Sequence, residues 1–106
     1  MKNQTPNFIK VASTSDLQPG GNKVVEVNGE QVALFNVDGE FFAINNTCRH
    51  KGGPLGEGFL EGDVVSCPLH GWRYNVRNGS CLTVPNQHVA SYQVKVEGND
   101  VLVSLD

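Results

Sequence analysis

Cys48-Arg49-His50 and, nineteen residues on, Cys67-Pro68-Leu69-His70 each put one thiol and one imidazole into a short segment. The pattern is C-x-H-x16-C-x2-H, drawn from a chain with only three cysteines and three histidines. Thiolate and imidazole are the ligands that soft or borderline metals prefer. In an extended segment, side chains at i and i+2 project to one side, which lets Cys48 and His50 converge. A turn at Pro68-Leu69 does the same for Cys67 and His70. Glycines beside both pairs let backbone amides come close to a buried sulfide or thiolate and donate to it. Two kinds of centre use such a donor set: a structural tetrahedral zinc site and an iron–sulfur cluster with mixed ligands. Zinc knuckles usually leave two to four residues between paired ligands, whereas the first pair here leaves one.

Short β segments must position these residues. "FIKVA" (8–12), "KVVEV" (23–27), "QVALFNV" (31–37) and "EFFAI" (40–44) precede the first pair, and "YQVKVEG" (92–98) and "DVLVSLD" (100–106) follow the second. Asn28-Gly29 and Asp38-Gly39 accept the positive φ angles of tight hairpin turns, so residues 23–44 read as a three-stranded meander. Gly98-Asn99 turns the last hairpin, and Asn78-Gly79 marks another turn. Alternation in 31–37 sets Val32, Leu34 and Asn36 on one face. No window supports an amphipathic helix longer than two turns, and the only internal echo is the pair of Cys/His loops. The glycine-rich stretch 48–72 cannot pack a core alone, so it reads as an insert ordered by a bound group.

At 106 residues the chain is read as one domain. A net charge of −3 gives no general attraction to nucleic acid or anionic membranes. There is no apolar segment of the ~20 residues a membrane span needs and no signal-type N-terminus, so a soluble, cytoplasmic setting is expected. There, paired Cys and His point to metal or redox chemistry rather than disulfides.

The two stretches "CRHKGGPLGEG" and "CPLHGWRY" resemble the Rieske iron–sulfur signature, and the similarity extends to overall size. The resemblance implies an all-β fold: a small antiparallel β barrel or sandwich with a loop-built cluster-binding subdomain over about residues 45–75. It implies a 2Fe–2S cluster, with His50 and His70 on the outer iron and Cys48 and Cys67 on the inner one. Two neutral imidazoles in place of two thiolates make the oxidised site about neutral and the reduced site about −1, which raises the potential above that of an all-cysteine cluster. Reduction coupled to proton uptake at alkaline pH is expected from the free imidazole nitrogens.

High-potential family members carry an extra cysteine in each loop, forming a disulfide. The matching positions here are Gly53 and Leu69. They also place a serine two residues after the second histidine, where this chain has Trp72. The tyrosine two residues further on is retained as Tyr74, whose hydroxyl could reach a cysteine sulfur. The expected potential is in the lower part of the ~ −150 to +300 mV Rieske span.

The implied function is one-electron carriage from an NAD(P)H-dependent flavoprotein reductase to a terminal oxygenase. The alternatives are the small subunit of an NAD(P)H nitrite reductase, working with its large subunit, and a zinc-stabilised interaction module. A stand-alone enzyme is not expected, because Rieske oxygenases need a second iron with two further histidines and a carboxylate, and only His88 remains.

Arg49, Lys51 and Arg73 read singly as solvated loop charges and together as a candidate positive rim suited to an acidic partner, with Glu57, Glu61 and Asp63 making the local field mixed. Cys81 reads as a buried inert thiol and His88 as a surface histidine. Phe35, Phe41, Phe42 and Phe59 read as core or loop-anchoring groups, and Pro54-Leu55 as a cover for the cluster's inner side.

Overall fold

The structure is a computed structural model that describes residues 7–50, 52–69 and 71–105. Strands β1 (Ile9–Ser13), β2 (Asn22–Val27), β3 (Glu30–Val37) and β4 (Glu40–Asn45) precede the first Cys/His loop. Three short strands, β5 (Phe59–Glu61), β6 (Val64–Ser66) and β7 (Arg73–Asn75), surround the second. Strands β8 (Ser91–Glu97) and β9 (Asp100–Ser104) close the sequence. No α-helix occurs among the described residues. Asn28 and Asp38 have φ of 52° and 53°, followed by Gly29 and Gly39 at 86° and 94°. These are the two consecutive positive φ values of a type I′ hairpin, so the meander forms where the Asn-Gly and Asp-Gly pairs predict it.

Six strands make one antiparallel sheet in the order β1-β9-β8-β4-β3-β2. Its end strands β1 and β2 come together, giving a nearly closed barrel. Closure leaves little free strand edge, as a small all-β domain requires. The all-β expectation is met, and the six anticipated strands are all present.

Alternation in β3 fails in an informative way. Every residue from Val32 to Val37 is buried, not only those of one face. Val32 and Leu34 face the barrel interior with Val25, Val27, Ala43 and Val101. Ala33, Phe35 and Val37 face a second core with Ile44, Cys48, Leu55, Val65 and Tyr74. A layer therefore covers the outer face of β3, and a strand covered on both faces reads as a continuous apolar run. Asn36 fits within it because its Nδ2 donates to the Leu17 carbonyl at 2.7 Å and its Oδ1 accepts the Gly39 N–H at 2.7 Å.

That covering layer is the glycine-rich insert. It is not wholly loop-built: β5-β6-β7 form a three-stranded antiparallel sheet. Phe59 pairs with Ser66, and Ser66 with Arg73, so both sides of the second Cys/His loop are strand-anchored. Three-residue strands carry too little period to be read from sequence.

Two asparagines fasten the insert to the barrel. Asn46, buried at the end of β4, accepts the Gly56 N–H at 2.7 Å through Oδ1, and its carbonyl accepts the Leu55 N–H at 2.7 Å. Asn22 in β2 donates through Nδ2 to the carbonyls of Gly56 at 2.9 Å and Gly58 at 3.1 Å. Gly56 is glycine because a Cβ would lie 2.7 Å from Val24 Cγ2 and 2.9 Å from the Lys23 carbonyl oxygen.

Candidate metal centre

The two Cys/His loops share one hydrogen-bond frame. Cys48 N–H donates to the Gly53 carbonyl at 2.9 Å, and Gly52 N–H donates to the Cys48 carbonyl at 3.0 Å. Cys67 N–H donates to the Trp72 carbonyl at 2.7 Å, and Gly71 N–H donates to the Cys67 carbonyl at 3.0 Å. Each loop thus closes from its cysteine to the fifth residue on. The fourth residue is a glycine at φ 75° in the first loop and 76° in the second. That left-handed turn favours glycine. The first pair therefore sits on a closed turn, not on the extended segment that i and i+2 spacing suggests. The local echo in the sequence is a duplicated backbone structure.

The frames also meet crosswise. The fifth residue of the first loop is Gly53, where a Cβ would lie 2.5 Å from Cys67 Sγ and 3.0 Å from Leu69 Cγ. The fifth residue of the second loop is Trp72, whose ring stacks on His50 of the first, with centroids 4.6 Å apart and planes 8° from parallel. In each case the fifth residue of one loop lies against the second residue after the cysteine of the other. The positions that hold a disulfide in high-potential relatives of the resemblance, Gly53 and Leu69, are in contact here without one.

The thiols of Cys48 and Cys67 are buried, outside any disulfide and part of the second core. Leu55, completely buried, packs in that core as expected, while Pro54 is half-buried. His50 is exposed, so the imidazole reaches the surface while both cysteines are buried. Of the four expected ligands the structure describes Cys48, His50 and Cys67. His70 and the rim residue Lys51 lie outside the described residues.

Tyr74 in β7 is fully buried beneath the first loop. Its hydroxyl oxygen accepts the Arg49 N–H at 3.0 Å and lies 3.5 Å from Cys48 Sγ. Toward Cys48 as a thiolate, the form that binds metal, the phenol is the donor, because a thiolate has no proton of its own to offer. Burial first, and then the bond to Cys48, hold the phenol above its ordinary ionisation range, against a smaller opposite effect of the Arg49 amide. Tyr74 therefore stays a donor.

Other anticipated residues divide. Arg49 and Arg73 are exposed, with no carboxylate within ion-pair distance among the described residues. Asp63 does not face a free rim: its Oδ2 is 3.1 Å from Arg77 Nε, and Arg77 also lies over the Phe42 ring at 4.7 Å. Phe35 is buried and Phe41 and Phe42 are half-buried. Phe59 is 72% exposed, which overturns its reading as a core or loop-anchoring group. In β5 it is Leu60 that turns inward to the core, so its neighbour Phe59 must point out. Cys81 is buried as expected, and its sulfur accepts the Val84 N–H at 3.4 Å. His88 is exposed, and it borders a cleft of about 520 Å³ with Asn45, Thr47, Cys48, Arg49 and Gly52. Tertiary structure, not sequence proximity, brings it beside the first loop.

The Rieske [2Fe-2S] domain model matches residues 7–100. The chain belongs to the Rieske family. It is an electron carrier with one 2Fe–2S cluster per chain. That membership does not favour the zinc alternative.

A ferredoxin component of biphenyl 2,3-dioxygenase from Rhodococcus jostii is 43% identical over 100 residues, 93% of this chain and 94% of the relative. A chain in the solved complex of reduced oxygenase and oxidized ferredoxin of carbazole 1,9a-dioxygenase superposes with a TM-score of 0.86. It is 34% identical, and the match covers 94% of each chain. A structure described as an NADH-dependent nitrite reductase small subunit from Mycobacterium tuberculosis superposes with a TM-score of 0.88 at 26% identity, covering 95% of this chain and 96% of the other.

The residues present fit such a cluster. Two buried thiols outside any disulfide, an exposed imidazole and a glycine whose missing Cβ accommodates Cys67 Sγ supply soft ligands and nitrogen at one place. No helix among the described residues is long and apolar enough to cross a membrane.

Proposed function

We propose that this chain is the ferredoxin of a multicomponent oxygenase system, taking electrons from an NAD(P)H-dependent flavoprotein reductase and delivering them to a terminal oxygenase in the cytoplasm. It acts as one domain with its cluster-binding subdomain over about residues 45–75, and it carries electrons without catalysing the substrate reaction itself. Cys48 and Cys67 hold the inner iron, and His50 and His70 hold the outer one. When bound, the cluster supplies a reversible one-electron redox centre at a potential set by its mixed ligands.

The chain's own residues shape the rest. Leu55 and the apolar core exclude water from the sulfur side. Tyr74 donates toward Cys48 Sγ. His50 presents an imidazole edge at the surface, which shortens the path to a docked partner.

The observation that carries this reading is an exposed His50 together with buried Cys48 and Cys67 on two loops with matching hydrogen bonds. Dioxygenase ferredoxins resemble the chain at 43% and 34% identity against 26% for the nitrite reductase subunit, which favours an oxygenase as acceptor. Visible absorption, metal content and EPR of the reduced protein test the ligand set in wild type and in His70→Ala. Wild type should contain about two irons per chain, as a 2Fe–2S site demands. Full cluster content in His70→Ala would reject the assignment. Reconstitution with candidate reductases and oxygenases, scored by turnover, tests the partners. Turnover with a nitrite reductase large subunit and not with oxygenases would reverse the choice.

A further inference from the structure

We propose that Trp72 is a positioning residue for the His50 imidazole, a clamp from the second loop that fixes the ring plane of a surface ligand and shields one of its faces from water. The proposal rests on the reading that His50 binds the cluster.

Three observations carry it. First, the rings are close and nearly parallel, at 4.6 Å and 8°, although His50 is exposed. Second, the backbone that presents Trp72 is pinned by the cysteine of its own loop: the Trp72 carbonyl accepts the Cys67 N–H at 2.7 Å, and Gly71 at φ 76° turns the chain into place. A shift of the indole is therefore resisted by the second loop's frame. Third, the equivalent position of the first loop is glycine, where an added Cβ would lie 2.5 Å from Cys67 Sγ and the sulfur would have to move. The two frames are alike but their fifth residues are opposite in size, so the large one is a feature of the His50 side alone. One loop yields space to sulfur and the other supplies a ring to imidazole.

The physical consequence has a definite sign. The negative face of an indole favours a neighbouring ring that carries more positive charge. An imidazole on the outer iron is more positive when the iron is ferric, so the stack favours the oxidised state. Excluding water from that face acts in the same direction, because the reduced site bears the net negative charge that water would stabilise. Trp72 therefore lowers the potential. It also slows departure of His50 from the metal, since ring rotation must first break the stack.

The test uses the cluster-loaded protein with Trp72→Phe, Trp72→Leu and His50→Ala. Two quantities are read: the reduction potential by spectroelectrochemistry, and the rate at which an iron chelator bleaches the visible bands. In Trp72→Leu the potential should rise and bleaching should quicken by about two- to tenfold, the range an aromatic pair contributes. Trp72→Phe keeps a stacking face and should fall between Leu and wild type in both readouts. A merely structural role would lower thermal stability without this graded order. His50→Ala should fail to retain the native cluster spectrum. If it retains that spectrum, the ligand reading fails and the clamp with it. If His50→Ala loses the cluster while Trp72→Leu matches wild type in potential and bleaching rate, the clamp alone is overturned.

Discussion

Single atoms decide the electronic character of the site. The Tyr74 hydroxyl, 3.5 Å from Cys48 Sγ and already accepting the Arg49 amide, donates to sulfur that becomes more electron-rich on reduction. Hydrogen bonds to the more negative state are the stronger ones, so this donor raises the potential. Tyr74→Phe should lower it by on the order of 40 mV, the equivalent of about 1 kcal/mol for one electron. Because the phenol is held above its ordinary range, the difference between the two proteins should persist at about pH 10, where a free tyrosine is half ionised. Protein-film voltammetry of both across pH measures this, and a gap that closes near pH 10 would refute the donor role. Tyr74 was legible as a candidate because it follows the second loop at a fixed offset. Its second partner, the Arg49 N–H, was not, since it lies twenty-five residues away in the chain.

At the scale of elements, the insert is tied to the barrel by a few polar side chains as well as by the shared core. Asn46 receives the Gly56 amide and Asn22 grips the Gly56 and Gly58 carbonyls, so the loop after the first Cys/His pair leans on β2 and β4. Asn46→Ala leaves the buried Gly56 N–H without its acceptor and should cost about 1–3 kcal/mol. Chemical denaturation should show that loss, with faster amide exchange at residues 55–58 than in β3. Uniform exchange across both regions would place the tie elsewhere. The long strands and their turns were legible because Asn-Gly and Asp-Gly pairs and β-branched runs act locally. The sheet β5-β6-β7 was not, because its pairing is specified by neighbours in space. The two-sided burial of β3 escaped for the same reason: alternation predicts faces only when one of them meets water.

Over the whole molecule, the exposed imidazole of His50 sits among exposed Arg49 and Arg73 on a chain of net charge −3. A local positive patch on an acidic protein orients the encounter with a partner of opposite local charge. Reversing both to Glu should slow second-order electron transfer to the native acceptor by about tenfold at low salt. The deficit should shrink as ionic strength passes ~0.1 M, where the Debye length is ~10 Å. Stopped-flow kinetics across salt gives the answer, and a rate unchanged at low salt removes both residues from the docking surface. Phe59, turned outward by strand parity, lies on the outer face of the same small sheet as Arg73.

Ligand chemistry and strand framework were written in the sequence itself, because donor type, short spacing and turn residues are properties of adjacent positions. From these came Cys48, His50, Cys67 and His70 as candidates, the meander and the final hairpin. Tertiary structure alone decided that Gly53 packs against Cys67 Sγ, where its lack of a Cβ leaves the sulfur in place. It also set Trp72 flat against His50 and brought His88 beside the first loop. Each of these is a contact between residues far apart in the chain, and such a contact exists only once the barrel has fixed where both loops stand.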